Sequence, residues 1–405
     1  MPSPSELELF LKFKSQIEFG ISLMTLNITN GPPLNCFVIF SMLLSNLSVV
    51  TFSLANIMLN FEGKLTTNSV FSCVTCIGAL QIVLKALSVC SYENHFLQIL
   101  MWAQSLYNER TNSEEINEMI RKILLQFHRI WIYIFKFVAI NTILVRKLYL
   151  KIFLFRFRLF FWLYILSGLA LCVINALMGD EGVIFRCPFI SLDYQYYLEV
   201  MHLLQLILIM FAILSTVYAD SSLIFLGLHI MAALDILNEY ITLHKNRMEV
   251  NKNFIENVLK RYCDLVDNID LFNEAISILS FVQFITSTIL FLFVFCAVTV
   301  DSNNPIGHVI VVCSMIQLFL PCLFGEVVKI KTDRLSETLY MINWYNLSVT
   351  DQKSFLILLG VMQKTYGLKA AGMYNITLYT FIQVINSSIR RIKSTKLKNF
   401  LSIFR

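Results

Sequence analysis

The segment YLEVMHLLQLILIMFAILSTVYADSSLIFLGLHIMAALDILNEYI, Tyr197 to Ile241, decides how the rest of the chain is read. Its first part, Tyr197 to Tyr218, is apolar over the length of about 20 residues that a helix needs to cross the hydrocarbon of a bilayer. The apolar residues do not stop there. They continue at Leu223, Leu226, Ile230, Leu234, Leu237 and Ile241, a three- and four-residue spacing that marks the seam of one helix packed on another. A matching series, Val258, Tyr262, Leu265, Ile269, Phe272 and Ile276, runs into the next long apolar stretch. Two membrane helices that extend beyond the bilayer into a helical bundle are the arrangement this pattern predicts.

The whole chain agrees with a membrane protein. Of its 405 residues 57% are hydrophobic and only 15% are charged, whereas soluble domains carry roughly 25% charge. Apolar windows of spanning length fall at Leu34 to Met58, Val70 to Cys90, Leu159 to Met178, Tyr197 to Tyr218, Ile276 to Val300, Ile306 to Lys329, and in a last stretch from near Gly372. The sequence thus predicts an all-α membrane protein with seven transmembrane helices. The stretch from Arg129 to Val145 is interrupted by Lys136 and stopped by Arg146, and reads as a cytosolic or interfacial helix. Leu7 to Leu26 is amphipathic and is expected along the membrane surface. The N-terminus carries early acids and no small-residue cleavage site, so the first span is expected to act as its own signal.

Lys and Arg set the orientation. Arg146 to Arg158, Lys245 to Arg261 and Lys329 to Lys353 hold the cationic loops, all on one side of the seven-span chain. That side is expected to be the cytosol, which places the N-terminus inside and the C-terminus outside. Residues 1–33 then form a cytosolic or interfacial segment, 34–300 the first five spans with their cytosolic extensions, and 301–405 the sixth span, a cytosolic anchor helix and the last span. The anchor helix has its own start signal, Ser348 and Asp351 in a capping-box arrangement, with Phe355, Leu358, Leu359 and Met362 on one face. The tail from Arg390 to Arg405 carries cations that sit outside against the rule.

Enzyme chemistry finds no support. The chain has no metalloprotease, Walker, nucleophile-elbow or zinc-ribbon motif, and its CVTC stretch at Cys73 to Cys76 lies inside an apolar span, where packing is the expected role. The six histidines are isolated and the ten cysteines give no disulfide framework. No cofactor is expected, and no nucleic-acid partner either, since the cations flank apolar runs and do not gather into one basic face. Lys85, Asp220 and Glu326 lie toward the cytosolic ends of spans, where snorkelling or pairing accounts for them. Met201 and Gln205, one turn apart and below Tyr194, Tyr196 and Tyr197, suit a pocket for a small apolar ligand.

The C-terminal third carries a more specific signature. Cys322, Gly325 and Glu326, then Tyr340, Trp344 and Tyr345, then Ala371, Gly372, Leu378, Thr380 and Phe381 follow one another in an order that resembles the insect odorant receptor family. The match is convincing over about residues 300 to 389. The resemblance implies a ligand-gated cation channel: four subunits around one pore lined by the last helix, with an odorant pocket in the outer half of each. It implies a plasma-membrane protein of olfactory neuron dendrites, which assembles with a shared coreceptor in a heterotetramer or forms a homotetramer. The long fourth-to-fifth loop of the coreceptor is missing, so the chain resembles a tuning subunit.

On that resemblance the small volatile ligand is expected among Phe71, Leu171, Ile174, Tyr197, Met201 and Met315, and the pore along Ile376, Thr380, Gln383, Ser387 and Arg390. Cations at the mouth would repel permeant ions. Either the helix leaves the pore axis near Arg390, or the subunit conducts beside partners with apolar gates. A gustatory receptor of the same superfamily is the nearest alternative, but LYTFIQV lacks the last-helix arrangement usual in that branch. A G-protein-coupled receptor is a more distant one, without its Asp-Arg-Tyr or Asn-Pro-x-x-Tyr motif here. A transporter would show an internal repeat, and none is visible.

Overall fold

The computed structural model describes residues 33–59, 67–108, 113–139, 196–247, 252–300, 305–364, 366–372, 374–387, and singly 7, 10, 11, 14, 18, 173 and 390. The helices in order are α1 Pro33–Leu59, α2 Thr67–Ser91, α3 Glu93–Asn108, α4 Glu114–Ala139, α5 Tyr197–Arg247, α6 Lys252–Val300, α7 Pro305–Tyr340 and α8 Val349–Met362. A short hairpin follows, β1 Lys369–Ala370 and β2 Tyr374–Asn375, and then the last helix, α9, over residues 378–387. Five of the predicted spans coincide with α1, α2 and parts of α5, α6 and α7. The span from Leu159 to Met178 lies outside the described residues apart from helical Val173.

α5 and α6 are the long members, of 51 and 49 residues. Their paired apolar series meet as predicted. Leu226, Ile230, Leu234, Leu237 and Ile241 are buried against the same cluster as Val258, Tyr262, Leu265, Ile269, Phe272 and Ile276. α8 closes this bundle with Phe355, Leu358, Leu359 and Met362, all buried. Its start is held as the sequence predicted. The Ser348 hydroxyl accepts from the backbone N–H of Asp351 at 3.2 Å and donates to the Asp351 carboxylate at 2.7 Å, satisfying one orphan donor of the first turn.

Two stretches among the described residues are long and apolar enough to cross a membrane, Leu223–Lys245 and Asn253–Phe291. The first is mostly buried in protein, so its apolarity belongs to the bundle core. The opposite pattern marks the membrane-facing parts. On α1, Phe40, Leu44, Leu47, Leu54 and Met58 are exposed while Ser45, Asn46, Ser53 and Asn56 are buried. Apolar side chains turned outward and polar ones turned inward suit a helix whose surroundings are hydrocarbon.

Three details differ from expectation. The amphipathic N-terminal stretch was expected on the membrane surface, but Phe10 is fully buried in the protein. Its ring lies 4.6 Å from that of Tyr107, 5.9 Å from Phe225 and 5.4 Å from His229, and Lys14 donates to the Gln104 side chain at 2.8 Å. An aromatic cage within the bundle offers Phe10 denser contacts than an interface does. The last span was expected from near Gly372. Instead Ala371 and Gly372, at φ of 50° and 68°, form the turn of the hairpin, and the helix starts six residues later, at 378. The interfacial helix expected from Arg129 begins earlier, at Glu114, and packs Ile116, Ile120 and Leu124 into the core.

Candidate ligand face and the seat of the last helix

The N-terminal part of α5 carries Tyr197, Met201, Gln205 and Leu208 at helical spacing, hence on one face. Met201 is fully buried, Gln205 is 2% exposed and Tyr197 is half-buried. Tyr196, next to it, is exposed and fits an interfacial aromatic. α1 crosses this face one turn further on, where the Ser45 hydroxyl donates to the Leu208 carbonyl at 3.4 Å. Of the other expected ligand residues, Met315 is half-buried on α7. Phe71 is on α2 with its side chain outside the description, and Leu171 and Ile174 lie outside the described residues. Tyr197 and Met201 are therefore the pair seen side by side, and His202 joins them on an adjacent face as a residue that no sequence pattern singled out.

Lys85, Asp220 and Glu326 have structural roles. Lys85 on α2 pairs with Asp220 on α5 at 3.2 Å, the lysine side chain only 4% exposed. Burial of a lone charge is strongly disfavoured, so each of these groups requires the other. Glu326 on α7 accepts from the backbone N–H of Leu378 at 3.3 Å. That N–H is one of the orphan donors at the start of α9, where a carboxylate also meets the positive end of the helix dipole.

Gly325, one residue before, explains how α9 reaches this position. A Cβ there would lie 2.0 Å from the Ile376 carbonyl oxygen, so only glycine allows the backbone of α7 and the entry to α9 to approach this closely. Cys322, a turn earlier, is fully buried. The hairpin holds the same entry from the other side. Lys369 N–H donates to the Asn273 side chain at 2.7 Å, Ala371 N–H to the Ser277 carbonyl at 3.1 Å and Gly372 N–H to the Ser277 hydroxyl at 3.0 Å. Ile376 N–H closes the loop on the Leu368 carbonyl at 2.8 Å. α9 is thus anchored at its start to both α6 and α7.

The expected pore residues divide accordingly. Ile376 is 1% exposed, buried under the turn before the helix. The Thr380 hydroxyl donates to the Asn375 carbonyl at 2.6 Å and shares a hydrogen bond with Thr377, so it serves the first turn. Gln383, Ser387 and Arg390 are exposed, as are Tyr379 and Ile382. Phe381 is turned inward, edge-on to Phe319 with ring centres 5.4 Å apart. α9 therefore has a packed side and a free side that bears amide and hydroxyl groups.

The model of the 7tm odorant receptor family matches residues 62–389. The chain belongs to the odorant receptor family. Its fold is also that of solved family structures. The insect olfactory receptor OR5 from Machilis hrabei superposes with a TM-score of 0.70 at 10% identity, covering 95% of this chain and 98% of that one. The same receptor in complex with eugenol superposes at 0.67 and 12% identity, over 94% and 97% of the two chains. No curated relative matches the chain. The seven-helix membrane fold read from the sequence is the fold of this family, a family of receptors. Its C-terminal signature residues gain physical roles here. Gly325 and Glu326 seat α9, Trp344 stacks on Phe355 at 5.8 Å between ring centres, and Ala371 with Gly372 turns the hairpin.

Proposed function

We propose that the chain is an odorant-gated, non-selective cation channel subunit of the plasma membrane, working as the tuning subunit beside a coreceptor in a tetramer. The observation that carries the channel reading is the two-sided α9. Its start is fixed to α6 and α7, while exposed Gln383 and Ser387 present an amide and a hydroxyl away from the subunit. Inside a bilayer such groups require water or a neighbouring subunit, and a water-filled conduit between subunits supplies both. The N-terminus is cytosolic in this reading, which puts the α5–α6–α8 bundle below the membrane and Tyr197 and Met201 in its outer half.

Ligand binding at Tyr197 and Met201, with Phe71, Leu171, Ile174 and Met315 completing the wall, is supported by the solved family member that holds eugenol, a small volatile molecule. The test records odorant-evoked current from cells expressing the chain alone and with the coreceptor. Gln383→Cys and Ser387→Cys should make that current sensitive to a water-soluble thiol reagent, whereas Phe381→Cys should not. Current indifferent to modification at both positions, with labelling shown to occur, would remove α9 from the pore.

A further inference from the structure

Within the membrane-facing half, most buried polar side chains have partners. Asn56 donates to the Ser72 hydroxyl at 2.8 Å, the Thr216 hydroxyl donates to the Ala212 carbonyl at 3.0 Å, and Lys85 donates to the Asp220 carboxylate. Gln205 does not. Neither its Oε1 nor its Nε2 makes a hydrogen bond, and among the described residues no other side chain has two such buried bare atoms. His202 holds a buried bare Nε2 as well. It precedes Gln205 by three residues, which makes the two side chains neighbours on the helix surface. A buried amide without partners is disfavoured enough that native chains bring nearly every such group to a partner. Gln205 sits one turn below fully buried Met201 and two below Tyr197, on the face read above as the ligand face.

We infer that Gln205, with His202 beside it, is the polar contact of the ligand site and that the ligand is a small apolar molecule bearing a hydroxyl group. The inference rests on the reading of this face as the ligand site. An amide offers one acceptor oxygen and an N–H donor. A hydroxyl both donates and accepts, so it satisfies Oε1 and Nε2 or the neighbouring imidazole nitrogen together. A carbonyl accepts only and leaves Oε1 bare. A hydrocarbon leaves every one of these atoms bare while still filling the space against Met201 and Tyr197. The expected order of potency is therefore alcohol or phenol first, aldehyde or ketone second and hydrocarbon last.

The experiment uses the full chain co-expressed with a coreceptor and a panel of six- to ten-carbon hydrocarbons, with the aldehydes and alcohols of the same skeletons and phenols of similar volume. Half-maximal concentrations are read by calcium flux, and surface protein is quantified for every variant. On the wild type, alcohols or phenols should act at about tenfold lower concentration than the matching hydrocarbons, the size of one hydrogen bond. Gln205→Leu should close that gap, by weakening the alcohols and phenols relative to the hydrocarbons, and should reach the surface at least as well as the wild type, because a bare buried amide has gone. His202→Phe should close it in part.

Several results would overturn the inference. They are a gap that survives Gln205→Leu, hydrocarbons as potent as alcohols on the wild type, and no activation by any hydroxylated member. Loss of surface protein in both Gln205→Leu and Gln205→Met would mark the amide as structural and overturn it too. Met201→Ala separates the two levels. If it shifts responses while Gln205→Leu changes nothing, the site stands and the hydroxyl falls; if neither shifts any response, the site reading itself falls.

Discussion

The two halves of α5 are one continuous helix with opposite burial rules. In the half before Tyr218, Leu203, Leu206 and Ile207 are exposed and Gln205 is buried. In the half after it, every residue from Phe225 to Leu234 is buried, and exposure falls on polar Glu239. Leucine and isoleucine run through both halves, although the second also carries Asp220, Asp235, Glu239, Lys245 and Arg247 against Glu199 alone in the first. What reverses the burial is the surrounding medium: hydrocarbon tolerates leucine on the outside and forces polar groups inward, whereas the bundle is built as a water-soluble core is. The same reversal runs along α6, with Ile278, Ile285 and Ile289 exposed beside buried Gln283 and Ser287, and Val258, Leu265 and Ile269 buried further down.

The largest expected effect lies where the two regimes join. Gly325→Ala forces a methyl group against the Ile376 carbonyl oxygen at 2.0 Å, and backbone cannot yield as a side chain can. Surface protein and evoked current should both be lost. Gly227→Ala is the control: its Cβ would meet the Phe324 ring at 1.9 Å, which can swing aside, so current should survive at a reduced level. Equal damage from the two substitutions would break the distinction between backbone and side-chain contact.

Next comes the buried ion pair of the membrane half. Lys85→Ala should destabilise by about 3–5 kcal/mol, because Asp220 then keeps a charge without its partner. The double variant Lys85→Met with Asp220→Leu should recover most of that loss. Melting of the detergent-solubilised protein checks both, and a double variant as unstable as the single one would show that the pair does more than neutralise itself.

A third substitution sharpens the contrast in medium directly. Leu203→Lys places a charge on the outward face and should disfavour insertion by about 2.5–3.5 kcal/mol if that face meets lipid. Glu239→Lys, on the exposed face of the other half, should be nearly neutral. Surface expression of both variants is the readout, and a tolerated Leu203→Lys would place that face against water or protein. The smallest effect is expected at the cap of α8, where Ser348→Ala removes the hydrogen bond to Asp351 N–H and should lower stability by about 1 kcal/mol.

How far the fold could be read in advance follows from the range of each interaction. The seams on α5 and α6, the spans of α1 and α2 and the Ser348 cap were legible, because helical period, span length and capping depend on residues within a few positions of one another. The burial of Phe10 was not legible because amphipathicity states that a face is apolar and not what covers it; only Tyr107, Phe225 and His229, far along the chain, determine that Phe10 is buried in protein. The start of α9 was misplaced for a similar reason. Ala371 and Gly372 take a left-handed turn whose N–H groups find Ser277 on α6, and no local pattern announces that partner.

The sequence by itself determined a seven-span membrane protein, the helical bundle formed by its long helices and, through residues in the order Cys322, Gly325, Glu326 to Phe381, its family. Those properties follow from composition, periodicity and local order along the chain. Only the tertiary structure decided that Lys85 answers Asp220, that Gly325 and Glu326 seat the last helix, and that Gln205 is buried with nothing to bond. Each of these depends on which distant atoms come within hydrogen-bonding or van der Waals range, and packing in three dimensions sets that distance.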